Sequence, residues 1–305
     1  MPKRARPVSP PHIPPPNWDD PLRPRNPLVT RRWLLGGVGL IILASFAALY
    51  FAIGLLFWQG QWQLIFHPSH VVSRTPASRG IAYDEVRFDA TETGQTRLTG
   101  WWIPGEAGPT GRPAILYLHE ARGSLSDALP DLLALHSLGN DIFAFDPRGF
   151  GRSQWEKPSE HHWNQDAEAA LYYLASVRHI GPSHLVVIGR GLGSTVAANL
   201  TLRRPDLQSL VMIDPQPPTL GLLRAPRWTH ILPIRLLARD RFNPAKALAS
   251  QSVNKLFLVS PNVPVPGYIA RAAPPHAIEH SIDLTAPETM SALRQCIAAT
   301  KHKDE

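Results

Sequence analysis

Residues 185–193 read Leu-Val-Val-Ile-Gly-Arg-Gly-Leu-Gly, a short apolar, β-branched run that ends in a turn with glycine at alternate positions. A run of that kind is a strand covered on both faces, as in the interior of a parallel sheet. The small residues Ser194, Thr195, Ala197 and Ala198 that follow suit a helix packed close to it. Two similar runs stand upstream, Ala114–His119 and Asp141–Asp146, separated by a helical stretch around Leu129–Leu138. Strand, helix and strand in alternation predict an α/β fold with a mostly parallel, doubly wound sheet.

A strand, a sharp G-x-S-x-G turn and a helix together form a nucleophile elbow, in which the middle serine attacks a carbonyl. Here the middle residue is Gly191, which carries no side chain to attack anything. Glycine is also a comfortable residue at a turn held in a sparsely allowed conformation, so the two readings of Gly191 are compatible.

Several separated blocks resemble the membrane-anchored α/β-hydrolase-domain family related to bacterial serine esterases and serine aminopeptidase-like hydrolases. Gln63–Pro68 resembles the family's post-anchor segment, and Leu98–Pro104 its second strand. Leu118-His119 is similar to its oxyanion strand, and Asp146-Pro-Arg-Gly-Phe-Gly-Arg-Ser153 to its D-x-R-G-x-G-x-S turn. Asp166–Leu171 and Leu232–Phe242 match further blocks, so the likeness runs from about 62 to 260 and fades after Val259. It implies an α/β-hydrolase fold preceded by one transmembrane helix.

The resemblance also implies a serine, a carboxylate and a histidine in that chain order. Gly191 stands at the nucleophile position. The carboxylate is expected after the strand Lys255–Val259, where Ser260–Pro266 contains no acid; Asn262 there reads as a loop residue or an imidazole-orienting amide. Asp214, ending the strand Leu210–Asp214, is the substitute acid. The base is expected after a last strand predicted near Ala277–Leu284, but Thr285–Glu288 holds no histidine, which leaves His276 and His280 nearby. The oxyanion loop reads His119-Glu120-Ala121, completed by Leu192 of the elbow. Glu120 is an anion where negative charge is unwelcome, either paired with Arg122 or turned to solvent. Ser194, three residues past Gly191, is the candidate displaced nucleophile; one turn inside a helix, it otherwise caps or packs. Asp146 and Arg148 read as holders of their turn.

Charge divides the chain. Trp33–Trp58 holds no charged residue, which predicts a transmembrane helix over 33–58 with Trp33, Tyr50, Trp58 and Trp62 as interface anchors. Residues 1–28 contain ten prolines and few apolar residues, a tail that builds no core. Seven of the 31 basic residues and two of the 24 acidic ones precede the span, leaving 24 against 22 beyond it. The tail at 1–32 is therefore expected in the cytoplasm and the domain at 59–305 on the far side, the periplasm of a bacterium. The high net charge reports topology, and no nucleic-acid surface is expected. Thr30–Leu35 loosely resembles a twin-arginine signal, with Ser45-Phe46-Ala47 as a cleavage site.

Cys296 is the single cysteine, so no intrachain disulfide forms; it falls on a predicted amphipathic last helix with Met290, Leu293 and Ile297. His161-His162 lacks a third ligand at useful spacing, so no metal and no cofactor are expected. The sequence thus predicts a membrane-anchored pseudo-hydrolase that acts by binding a lipid, acyl or peptide ligand or an envelope protein. Its rival is an active serine hydrolase built on Ser194, Asp214 and His280.

Overall fold

The computed structural model describes residues 12–13, 30–90, 94, 96–105 and 112–299. The proline-rich tail lies almost wholly outside them. Two compact units divide the chain, Met1–Ile53 and Gly54–Glu305. In the first, the described residues are chiefly the start of α1, Arg31–Gly60, whose 30 residues correspond to about 45 Å of helix. Among the described residues it is the one helix long and apolar enough to cross a membrane. Its observed bounds extend the expected span by two residues at each end.

The second unit is built on an eight-stranded sheet. In chain order the strands are β1 (His67–Pro68), β2 (Asp84–Asp89), β3 (Arg97–Ile103), β4 (Ala114–Leu118), β5 (Arg122–Gly123), β6 (Ile142–Asp146), β7 (Leu185–Arg190), β8 (Ser209–Ile213), β9 (Asn254–Leu258) and β10 (His276–Glu279). The helices after α1 are α2 (Leu125–His136), α3 (Glu160–Ser176), α4 (Leu192–Arg203), α5 (Thr219–Arg224), α6 (Ile234–Leu237), α7 (Ala245–Ser250), α8 (Gly267–Ala270) and α9 (Pro287–Ala298). Strand order across the large sheet is β10-β9-β8-β7-β4-β6-β3-β2, while β1 and β5 form a separate small pair. Pairing is parallel from β10 to β6 and antiparallel at β3–β6 and β2–β3.

The β-branched runs form the central strands because both faces are covered. Every residue of β4, β6 and β8 is buried, with Ile115, Ile142, Val186, Ile188, Val211 and Ile213 in one cluster. From β4 the chain passes to β6 on one side and then returns to β7 on the other. That reversal opens a crevice at the carboxyl ends of β4 and β7, where ligands bind in open α/β sheets.

The last strand differs from expectation. It spans His276–Glu279, not 277–284, because its parallel partner β9 stops at Leu258 opposite Glu279. Beyond that point Leu284 enters the core from a loop, which is why the apolar pattern continued past the strand. The sheet is nonetheless completed after Val259. Cys296 is buried in α9, receives a contact from Asn254 Nδ2 at 3.7 Å, and its thiol is pushed up to about 12 by burial.

On β9 the Lys255 side chain is buried, its ammonium donating to the carbonyls of Gln251 at 3.0 Å and Val253 at 2.7 Å. Burial lowers its pKa from 10.5 to about 8. Below pH 8 the lysine is charged in both folded and unfolded chains, and the fold bears the full cost of burying the charge. Between pH 8 and 10.5 the folded chain sheds the proton while the unfolded chain keeps it, so stability rises. In detergent, urea unfolding of wild type should therefore gain on Lys255→Met by at most about 1.4 kcal/mol per pH unit across that window. A constant difference from pH 7 to 10 would refute this assignment.

Candidate functional site

Two short segments meet at the crevice, the residues after β4 and the turn after β7. The turn is Gly191, at φ 57° and ψ −124°, a conformation that L side chains rarely adopt. Its N–H donates to Ile213 O at 2.9 Å, which ties the turn to β8. A Cβ built on Gly191 would stand 3.0 Å from Glu120 Cβ and 3.7 Å from Glu120 Oε2. The place where an elbow nucleophile would begin is thus bounded by the stem of a glutamate.

Close approach sets up this meeting. A Cβ on Gly193 would fall 2.3 Å from His119 O and 2.5 Å from Leu118 O, so the first turn of α4 rests directly on the end of β4. Gly189 is equally confined, its Cβ position lying 2.4 Å from Gly193 O. Only glycine at both positions allows strand and helix to fold back this tightly.

His119 is buried, with Nδ1 donating to Glu120 O at 2.7 Å and Nε2 3.5 Å from Asp146 Oδ1. Phe150 and Trp163 pack edge-on against its ring. Ala121 and Leu192 are both buried, and Ala121 O accepts from His67 N at 2.8 Å in the small sheet. Glu120 and Arg122 are both exposed, and no ion pair joins them among the described residues.

The D-x-R-G-x-G-x-S turn is a brace. Asp146 Oδ1 accepts from Leu125 N at 2.8 Å and so fixes the start of α2. Arg148 is buried and bonds Asp166 of α3 through its backbone N–H at 2.9 Å and Nε at 2.8 Å, with Nη1 reaching Glu156 Oε2 at 3.1 Å.

The other candidates stand as follows. Ser194 is fully buried, and its hydroxyl donates to Gly191 O at 2.6 Å. Asp214 follows β8 at φ 46°; its N–H donates to Leu258 O, and its carboxylate meets Gln216 Nε2 at 3.4 Å. Burial, with the Asp214 charge second, raises the pKa of Tyr268. His280 is exposed and directly follows β10. Among the described residues no hydrogen bond joins Ser194, Asp214 and His280 to one another. Asn262 is exposed in a turn, and His276 lies within β10 beside Phe257.

A cluster that the sequence reading did not single out occupies the crevice. Arg190, the last residue of β7, donates from Nε and Nη2 to Asp131 of α2 at 2.5 and 3.0 Å. The Tyr117 hydroxyl of β4 donates to the same carboxylate at 2.5 Å. Burial works against the Arg190 charge, but Asp131 and Tyr117 together outweigh it and raise the guanidinium pKa. Burial, with Asp131 adding to it, raises Tyr117 well above its ordinary value. These side chains line a cavity of about 180 Å³ together with Glu120, Arg122 and Asp127. Only an arginine at the end of a buried strand hinted at this in the sequence; its partners lie 59 residues or more away along the chain.

Removing one member leaves the other ion without its partner in a half-buried place. Asp131→Ala should cost about 1 to 3 kcal/mol in urea unfolding, and less in an Arg190→Met background. Strictly additive costs in this double-mutant cycle would show that the two groups do not support each other.

Comparison with known proteins agrees with the geometry. The sequence pattern of the alpha/beta hydrolase fold matches residues 110–266. The uncharacterised protein Rv2307c of Mycobacterium tuberculosis is 31% identical over 216 residues, 68% of this chain and 72% of its own length. The alpha/beta hydrolase domain-containing protein WAV2 of Arabidopsis thaliana is 32% identical over 144 residues, and protein bem46 of Schizosaccharomyces pombe 26% over 176. The chain spans 44% and 58% of the lengths of those two. Among solved structures, the Pyrococcus furiosus esterase Pf2001 superposes with a TM-score of 0.61 at 20% identity, covering 76% of this chain and 96% of the esterase. That likeness is one of fold. The matched pattern, the mycobacterial relative and the strand order together make this chain a member of the alpha/beta hydrolase fold family.

Proposed function

We propose that this chain is a membrane-anchored pseudo-hydrolase, which has kept the hydrolase scaffold, performs no acyl transfer and acts by binding. The observation that carries the proposal is Gly191 at the elbow apex with Glu120 against it. An elbow without a side chain has no nucleophile. A carboxylate beside the oxyanion loop opposes the negative charge that a tetrahedral intermediate would develop. The Ser194 hydroxyl is engaged by its own turn and, among the described residues, has no base hydrogen-bonded to it, so the alternative of an active serine hydrolase finds no support there.

Binding would take place in the crevice at the ends of β4 and β7. Its cavity is smaller than the ~300 Å³ typical of ligand pockets, and its walls carry Arg190, Asp131, Tyr117 and Arg122. That lining favours a small polar ligand or the charged end of a peptide or acyl compound; an envelope protein that inserts such a group is the macromolecular version. The bilayer is engaged through residues 33–58. The tail at 1–32 stays in the cytoplasm and the domain at 59–305 lies outside it, an orientation supported by the basic residues ahead of the span.

The test is p-nitrophenyl acetate turnover by the full chain in detergent, for wild type, Ser194→Ala, Gly191→Ser and Gly191→Ser with Glu120→Gly. Wild type should match buffer and Ser194→Ala should change nothing. Gly191→Ser should stay inactive both alone and with Glu120→Gly, because among the described residues no hydrogen bond joins Asp214 and His280, the candidate acid and base. Wild-type turnover that disappears in Ser194→Ala would overturn the proposal.

A further inference from the structure

The stretch between Asp214 and Asp240 contains no acidic residue and four arginines, Arg224, Arg227, Arg235 and Arg239, all exposed. The same stretch leaves three large apolar side chains in solvent: Trp228 at 50% exposure, Ile231 at 61% and Leu236 at 84%. Singly exposed apolar residues are common on protein surfaces, but here they lie within one stretch of a single charge sign. Segments that lie in the headgroup layer of a membrane combine the two, with apolar groups entering the acyl boundary and cations meeting anionic lipid.

Its neighbours within the Gly54–Glu305 unit say which surface it faces. Phe57 stacks edge-on against Trp228 at 6.0 Å, and the Arg239 guanidinium lies 4.8 Å from the Trp58 ring. Gln61, in the turn that follows α1, donates to Leu237 O at 2.9 Å and accepts from Arg239 N at 2.9 Å. Lys157 adds a further cation: its ammonium donates to Gln59 O at 2.7 Å and lies 5.8 Å from the Trp62 ring. Burial first, and then the nearby Arg239 charge, lower the Lys157 pKa, against a smaller opposing effect of Asp240. The arginine-rich stretch is therefore fastened, by side chain and backbone, to the last turn of the apolar helix.

We propose that residues 219–239 form a second membrane contact, seated on anionic lipid headgroups around the point where α1 leaves the bilayer. The inference rests on reading α1 as a bilayer span. The single-sign charge selects anionic lipid over zwitterionic lipid, and the attachment at Phe57, Trp58 and Gln61 holds the patch at headgroup depth. The contact would hold the hydrolase unit to the membrane at a second place beside the anchor.

The experiment uses the full chain with an environment-sensitive fluorophore on Leu236→Cys, and on Tyr172→Cys as a control at an exposed position of α3. The buried Cys296 should take no label in wild type. Proteins are reconstituted into phosphatidylglycerol–phosphatidylcholine vesicles or into phosphatidylcholine alone. Expected is a blue-shifted, lipid-quenchable signal at position 236 in the anionic vesicles only, with none at 172. Arg227→Gln and Arg235→Gln should each lower the ratio of docked to free probe about fivefold. A chain that floats with the vesicles but keeps an aqueous probe at 236 overturns this inference and leaves the anchor standing. Equal signals in both lipids overturn the anionic-headgroup contact. A chain that fails to float removes the anchor and this inference together.

Discussion

The approach of α4 to the end of β4 is the constraint on which the rest of the structure depends. Gly193 lies so close to His119 O and Leu118 O that a methyl group there would overlap the backbone, and Gly189 is confined by Gly193 itself. This contact carries the turn after β7 up to the loop after β4 and creates the crevice. It also explains why two glycines of the G-x-G-x-G pattern serve packing, while the middle one is free to lose its side chain without disturbing the fold. The scaffold and the nucleophile answer to different demands, one to sterics and the other to chemistry.

With no side chain at the apex, the charged groups around it define the crevice. Arg190 sits one residue before the apex and is held by Asp131, which also receives the Tyr117 hydroxyl. An ion pair with a second donor in a partly buried place is rigid, since each group loses a partner if it moves. The result is a small cavity lined by charged and polar side chains. The brace from Asp146 to α2, and from Arg148 to α3, holds the same loops from beneath.

Elsewhere on the same unit, the segment after β8 combines arginines with exposed apolar side chains and is tied to the end of the apolar helix at Trp58 and to Gln61 just after it. The crevice and this segment draw on the same strand ends. The β7 and β8 termini lead into Gly191 and Asp214, and Gly191 N–H bonds the last residue of β8.

The sequence by itself determined the strands, the turn and the apolar helix, because each is written in local patterns. Leu185–Ile188 is apolar and β-branched, the alternate glycines follow directly, and 26 residues pass without a charge. It determined equally that Gly191 has no side chain. Where local pattern and pairing disagree, pairing wins: the apolar residues up to Leu284 suggested a longer last strand, but β10 ends at Glu279 where β9 has no further partner to offer. Only the tertiary structure decided that Glu120 abuts Gly191 and that Tyr117, Asp131 and Arg190 form one cluster. Those residues sit on separate strands and helices, and a linear pattern holds no record of which ends the sheet brings together. Their chemistry follows from distances of a few ångströms, set by how the layers pack and not by spacing along the chain.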